Sequence, residues 1–375
     1  MALLYIIIIV AFIDTFSQLP IIGPFASNLG ATPMLVGIII GIYSFSNIIG
    51  NIVSGYWIDR MGPKVVLCTG MILAGIVLFF YSLVTTAQEL IYVRLFHGLV
   101  GGLIVPAVFT FLGSRKTKKS KGKVMALSGA SVGIAAIAGP ALGTIISGRF
   151  GYDYLFFMLT ILMIGCALLA IFFVKDLQWT GSTDPTDQTA FFIITKPILY
   201  SYISIFLLMF TLGILTFALP LKVEGLQLRA ELTGSLLSIF GLVAILIFIL
   251  PTNVLFEKWR PMHLMTIGLL TIFFALVSLS LSSTFIHLML AMVIYGVGFA
   301  FIFPSTSAAV VESSGESKRG KAFGLFYACF SFGVIAGSFL SGALAVSPSL
   351  LFFIGGLCLL FVVLIFHLFS RRLIN

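Results

Sequence analysis

The stretch Gly55-Tyr56-Trp57-Ile58-Asp59-Arg60-Met61-Gly62-Pro63-Lys64 is a short polar break between two long apolar runs, at 33–56 and 65–84. A helix crossing a hydrocarbon core of ~30 Å needs ~20 mostly apolar residues, because each rises ~1.5 Å. Both flanks are long enough, and the break between them has room only for a tight turn. Runs of the same kind lie outward from this pair at 3–24, 90–112, 124–146 and 154–174, then at 199–220, 232–253, 264–282, 287–309, 322–345 and 349–369. This predicts twelve transmembrane helices. Composition agrees, with 60% apolar and only 9% charged residues and a mean hydropathy of +1.20. A water-soluble domain carries about 25% charged residues, so this chain cannot cover itself with polar surface.

The net charge of +9 has less meaning than the placement of the charges. On alternate loops lie Arg60 and Lys64, then Arg115, Lys116, Lys118, Lys119, Lys121 and Lys123, then Lys175 and Lys196. Lys258 and Arg260 follow, then Lys318, Arg319 and Lys321, and last Arg371 and Arg372. The opposite loops hold Arg149, Lys222 and Arg229, while Arg94 falls inside a helix. The positive-inside rule therefore puts both termini in the cytoplasm of a multi-pass cell-membrane protein, read as bacterial. The basic cluster from Arg115 to Lys123 reads as a topology anchor, and no nucleic-acid partner is expected. Met1-Ala2-Leu3-Leu4 has no basic leader region and no small-residue cleavage site follows, so the first run reads as a retained helix. Cys68, Cys166, Cys329 and Cys358 stand singly in apolar runs, without the spacing of a metal site.

The stretch from Asp176 to Lys196, with Gly181, Ser182, Asp184, Pro185 and Asp187, reads as a cytoplasmic linker. The chain thus divides into a six-helix bundle at 1–175, a linker at 176–198 and a second bundle at 199–375. The two halves echo each other at a shift of 198 residues. Gly98 meets Gly296, Pro106 meets Pro304, Gly139 meets Gly337, and Lys121-Gly122-Lys123 meets Arg319-Gly320-Lys321. Asp59-Arg60 meets Glu257-Lys258, and Pro63 meets Pro261. One ungapped shift across several elements indicates an internal duplication.

Three motifs carry a family resemblance. Gly55 to Lys64 resembles the signature loop of the major facilitator superfamily, Gly-x-x-x-Asp-Arg-x-Gly-(Arg/Pro)-(Arg/Lys). Gly55 permits close helix approach, Asp59 can face a positive helix N-terminus, and Gly62 turns the chain. The resemblance implies that Asp59 faces the eleventh helix, expected to begin near Ala322, in a contact that closes the transporter on its inner side. Asn253 and Arg260 stand where glycines would fall in the second-half copy. Arg94-Leu95-Phe96-His97-Gly98 looks like the family's second motif. A guanidinium within a helix needs water, a carboxylate or a carbonyl, or else must snorkel to the membrane edge. Gly139-Pro140-Ala141-Leu142-Gly143 resembles the core of the antiporter motif, although Ala135 departs from the fuller pattern. The resemblance implies two pseudo-symmetric six-helix bundles in the major facilitator fold, all-α and membrane-integral. It points most nearly to the twelve-helix drug:proton antiporters.

Asp14 is the one carboxylate deep in the first half, ~17 Å along the first helix and therefore near the midplane. An ionised carboxylate there is costly, which suits it to carry a coupling proton or to pair with a cationic substrate. A structural Asp held by a neighbouring helix is the plainer alternative. Pro20 and Pro24 after it resemble the Pro-rich first helix of drug exporters. Gln18 shares a face with Asp14, and Asn47 with Asn51, at i, i+4. Gln18, Asn47, Arg94 and His97 are the cavity candidates, with interhelical hydrogen bonding as the competing role for Asn47 and simple packing for His97. Phe206, Phe210, Phe299, Phe326 and Phe330 suggest an apolar wall in the second half. No Gly-x-x-x-x-Gly-Lys-(Ser/Thr) loop or catalytic triad is present. The chain is thus expected to be no enzyme, to need no cofactor, and to draw on a proton gradient as a monomer in the lipid bilayer. The leading expectation is efflux of small apolar or amphipathic compounds. An uptake symporter would need several charged or amide groups from both halves converging midway, and the second half is poor in them; a scaffold or sensor would need no deep Asp.

Overall fold

The computed structural model describes residues 2–115, 121–175, 177, 195–229, 232–249, 255–344 and 346–372. Within them the secondary structure is helical throughout. The first part of the chain forms α1 (Ala2–Gln18), α2 (Ile22–Asn28), α3 (Pro33–Met61), α4 (Pro63–Tyr81), α5 (Ala87–Ser114), α6 (Lys121–Phe150) and α7 (Tyr152–Phe173). The second part forms α8 (Lys196–Gly225), α9 (Leu232–Ile249), α10 (Leu255–Lys258), α11 (Pro261–Leu281), α12 (Phe285–Ser313), α13 (Arg319–Leu344) and α14 (Pro348–Arg372). Eleven of these are long and apolar enough to cross a membrane, and α1 with α2 makes a twelfth if the bent pair counts as one span. The chain is a multi-pass integral membrane protein. Most of the expected linker, and residues 116–120 of the basic cluster, lie outside the described residues.

The first span corrects the expectation of one continuous helix over 3–24. It breaks between Gln18 and Ile22, and the two pieces meet at 47°. Pro20 accounts for the break: it has no N–H to donate, its ring crowds the carbonyl one turn earlier, and it biases Leu19 away from helical backbone. Asp14 therefore lies one turn before a bend, next to residue 15, the midpoint of the combined span from Ala2 to Asn28.

Other ends follow local rules. Gly62 closes α3 and opens α4 at φ +84°, a left-handed backbone that glycine adopts without a Cβ clash. Pro63 then takes the first position of α4, where its missing donor costs nothing. A capping box starts α5: Thr86 Oγ1 accepts from the Glu89 N–H at 3.3 Å, and Glu89 Oε2 accepts from the Thr86 N–H at 3.2 Å. This cap at Thr86, eight residues before Arg94, fixes where α5 begins.

Two compact units emerge. One comprises Met1–Lys118, Ile134–Ile194 and Ser314–Ser331; the other comprises Lys119–Gly133, Thr195–Ser313 and Phe332–Asn375. In the first, α5 packs on α3, α4 and α1, and α7 packs on α4 and α1. In the second, α12 packs on α9, α11 and α8, and α14 packs on α11 and α8. The pairing scheme is the same in each, displaced by the 198-residue echo.

Candidate functional site

The first unit buries a polar cluster that four helices build together. Asp14, Thr15 and Gln18 come from α1, Tyr43 from α3, the terminal Tyr81 from α4, and Arg94 and His97 from α5. Arg94 and His97 lie at i, i+3 and so share one face. Asp14, Gln18, Arg94 and His97 are each at most 6% exposed. Burial at that level demands that every polar group find a partner.

The partners are present. His97 Nε2 lies 3.1 Å from Asp14 Oδ2, and Gln18 Nε2 donates to Asp14 Oδ1 at 2.7 Å. On its other side, His97 Nδ1 lies 3.1 Å from the Tyr81 hydroxyl. Arg94 donates to Gln18 Oε1 at 3.0 Å and to the Ile39 carbonyl at 3.2 Å. Its guanidinium carbon stands 4.3 Å above the Tyr43 ring, at cation–π distance. Arg94 therefore turns inward rather than snorkelling. Gln18 stands between the guanidinium and the carboxylate, accepting from one and donating to the other.

Aromatic rings hold the imidazole. Tyr43 and Tyr81 meet it edge-on at 5.3 and 5.5 Å, and Tyr81 stacks on Phe156 at 4.2 Å. Neutral His97 can donate from Nε2 to ionised Asp14 while Nδ1 accepts from Tyr81; protonated, it donates from both nitrogens and the phenol accepts instead. The same heavy-atom arrangement thus serves two proton counts. With Asp14 ionised, Arg94 cationic and His97 neutral, the cluster carries no net charge. One more proton leaves an unbalanced positive charge in a setting that screens it poorly.

Helix α6 packs directly behind this cluster. A Cβ on Gly143 would collide with the Ser17 carbonyl, and one on Gly139 would lie 2.8 Å from Phe16 Cβ. These glycines let α6 lie against the backbone of α1 just before the bend. Pro140 sits between them inside α6. The antiporter-like motif therefore touches the helix that carries Asp14.

Asn47 is also close by. Its amide donates to the Gly98 carbonyl at 3.3 Å, accepts from Asn51 at 2.9 Å and accepts from Ser331 at 3.0 Å. At the far end of α3, Asp59 accepts from the N–H groups of Gly320 at 2.6 Å and Lys321 at 3.1 Å, in the first turn of α13. These are donors that a helix start leaves unmatched. The helix begins at Arg319, three residues before the expected position. A Cβ on Gly55 would lie 2.9 Å from Lys321 Cα, while Lys321 Nζ stands 5.0 Å from the Tyr56 ring. Arg60 is exposed and Lys64 half-buried. Gly62 makes the turn described above.

The reading of the sequence did not include Tyr43, Tyr81, Thr15 or Ser331. Tyr43 carried a usable signal, since Tyr43, Asn47 and Asn51 recur every fourth residue on one face of α3. Among the expected wall residues, Phe210 and Phe326 are buried, Phe206 stacks on Phe210 at 6.1 Å, and Phe299 stacks on Phe303 at 5.7 Å. Phe330 lies 5.9 Å from Tyr327.

Long apolar spans in two similarly paired sets, with a cluster of buried ionisable groups inside the first, are the architecture of a membrane transport protein. The chain matches the Major Facilitator Superfamily over residues 4–245 and 201–373, and it belongs to that family. It is 24% identical over 336 residues to the uncharacterized MFS-type transporter MJ1560 of Methanocaldococcus jannaschii, covering 87% of this chain and 86% of that one. It is 25% identical over 169 residues to multidrug resistance protein 2 of Bacillus subtilis, covering 45% and 42%. In fold it resembles the proton:xylose symporter XylE bound to 6-bromo-6-deoxy-D-glucose, with a TM-score of 0.79 at 14% identity, over 100% of this chain and 95% of that one. It is a secondary active transporter of small molecules.

Proposed function

We propose that transport is coupled to protons and that the Asp14–His97 pair holds the coupling proton. The observation that carries this is the 3.1 Å approach of a buried imidazole to a buried carboxylate near the middle of the first span. Arg94 reaches Asp14 through Gln18, so a change of charge on the pair is felt across the whole cluster. In an alternating-access cycle such a change favours one conformation over the other. Both termini lie in the cytoplasm in this reading, and the chain acts as a monomer.

Between the two directions, uptake by symport has the better support. The expectation of efflux rested on the Gly139-Pro140-x-x-Gly143 helix, Asp14 and the aromatic content, and counted against symport a second half poor in charged or amide groups. In the first unit a carboxylate, a guanidinium, an imidazole, an amide and two phenols do converge. Such a set suits a polar cargo better than an apolar one, and the symporter XylE shares the fold. Efflux by antiport is the second reading. It draws on the Gly139-Pro140-x-x-Gly143 helix packed against α1 and on the multidrug resistance relative.

Proteoliposomes decide between them. Symport predicts that an inward-directed proton gradient drives accumulation of a radiolabelled sugar or other neutral polar solute in right-side-out vesicles. Antiport predicts that ethidium enters inverted vesicles and dissipates an acid-inside gradient. No proton-linked flux of any solute in either preparation would remove the coupling claim.

A further inference from the structure

One amide joins the Asp14–His97 cluster to the middle of α13, the helix whose first turn Asp59 caps. Asn47 donates to the carbonyl of Gly98, the residue after His97, and accepts from Ser331 on α13 and from Asn51 one turn along α3. The Gly98 carbonyl can only accept, so the amide nitrogen must face it and the amide oxygen must face the two donors. The orientation of Asn47 is thereby set from three sides, on three helices.

The backbone at Gly98 has no slack. A Cβ there would collide with Ser46 Oγ and the Tyr43 carbonyl, and one on Gly102 would lie 2.6 Å from the Asn51 N–H nitrogen. A shift of α5 at His97 must therefore move α3 between Tyr43 and Asn51. Helix α13 is held along that same helix by Asp59 at one end and Asn47 at the other, with Gly324 against Asn51 and Gly55 between them. Close-packed contacts of this kind transmit displacement rather than absorb it.

We propose that Asn47 is a positioning residue which transmits the proton state of Asp14–His97 to the docking of residues 319–331. This rests on the proton-coupled reading above. The titratable and charged groups that face the pair are Arg94 of α5, Tyr43 of α3 and Tyr81 of α4. From α6 and α7 the packed residues are Gly139, Gly143 and Phe156, which carry no charge. Loss of the proton changes the pull of Asp14 on His97, α5 shifts at Gly98, and Asn47 loosens or tightens its hold on Ser331.

The test is hydrogen exchange over peptides spanning 319–331, on the full-length protein in nanodiscs, with Asp14→Asn as a fixed neutral state. Asp14→Asn is expected to change exchange there at least about fivefold relative to the parent protein. In an Asn47→Ala background, and separately in a Ser331→Ala background, the same substitution should change it less than about twofold, as the non-additivity of residues acting through one contact requires. Ser331→Ala alone decides the matter if Asn47→Ala fails to fold. An undiminished fivefold response in the Ser331→Ala background overturns the proposal. Transport by Asp14→Asn distinguishes the two levels. Normal gradient dependence in that variant removes the proton reading and this role with it. Lost gradient dependence with unmoved exchange at 319–331 removes only the role of Asn47.

Discussion

At the same place in the duplicated pattern, the two halves hold different chemistry. His97 shifted by 198 residues is Tyr295, and Asp14 shifted likewise is Leu212, the neighbour of Thr211. Tyr295 and Thr211 are hydrogen-bonded at 3.1 Å, so a link between the first and fourth spans recurs in each half, in register on the fourth span and one residue earlier on the first. In the first half that link is an imidazole on a carboxylate; in the second it is a phenol and a hydroxyl, neither of which ionises at neutral pH. Around it, Arg94 is matched by Met292, Gln18 by Thr216 and Tyr81 by Leu279. The scaffold has thus been kept while ionisable groups are concentrated on one side. On the proposed proton-coupled reading the first half is the side that handles the proton, and the second supplies a neutral counterpart.

The largest effect that could break this comparison is at Asp14. Asp14→Asn keeps the size of the side chain and the Gln18 bond but removes the negative charge. Gradient-driven accumulation should fall at least ~10²-fold, the scale of losing about 2.7 kcal/mol of coupling. Thr211→Val, at the matching link, should leave the gradient dependence within about twofold. Equal losses from the two would show that the link matters for packing and not for its charge.

A second contrast lies at the positions paired by Gly122 and Gly320. A Cβ on Gly320 would meet Asp59 and lie 2.6 Å from Ile58 Cβ; one on Gly122 would collide with the Phe256 carbonyl. Ile58 and Phe256 are themselves 198 apart, so the close approach is repeated. The first copy adds a carboxylate that caps two N–H groups, and each such charged bond contributes about 1.5–3 kcal/mol. Asp59→Ala should therefore raise amide exchange at Gly320 and Lys321 about tenfold or more. Phe256→Ala should loosen the second copy by a packing loss of about 3–5 kcal/mol without a matching rise at an N-terminal amide pair.

The contrast also explains which features could be read from the chain. Spans were legible because ~20 apolar residues in a row have few alternatives, and the polar turn at Gly55–Lys64 has a spacing of its own. The break in the first span was not, although Pro20 stood in plain view, because membrane helices tolerate proline when neighbours satisfy the freed carbonyls. Asp14 and Gln18 could be placed on one face from their i, i+4 spacing. The approach of His97 to Asp14 depends on how α5 is rotated against α1. That rotation goes with the close approach of α5 to α3 at Gly98 and Gly102, and no pattern within one helix reports it. Tyr81 ends an apolar run, where an aromatic residue at the membrane interface is the ordinary reading.

The smallest effect is the most discriminating about the neutral link. Thr211 Oγ1 also donates to the Leu208 carbonyl at 2.8 Å, whereas Tyr295 has Thr211 as its hydroxyl partner in a fully buried site. The two single substitutions should therefore differ. Tyr295→Phe leaves Thr211 bonded within its own helix and should cost less than ~1 kcal/mol. Thr211→Val strands a buried phenol and should cost ~1–3 kcal/mol. In the double variant no stranded group remains, so adding Tyr295→Phe to Thr211→Val should restore stability rather than reduce it further. Thermal unfolding of the three variants in one detergent reads the order directly. A double variant less stable than Thr211→Val would mean that the phenol is satisfied elsewhere, and the second-half link would then be no counterpart of Asp14–His97 at all.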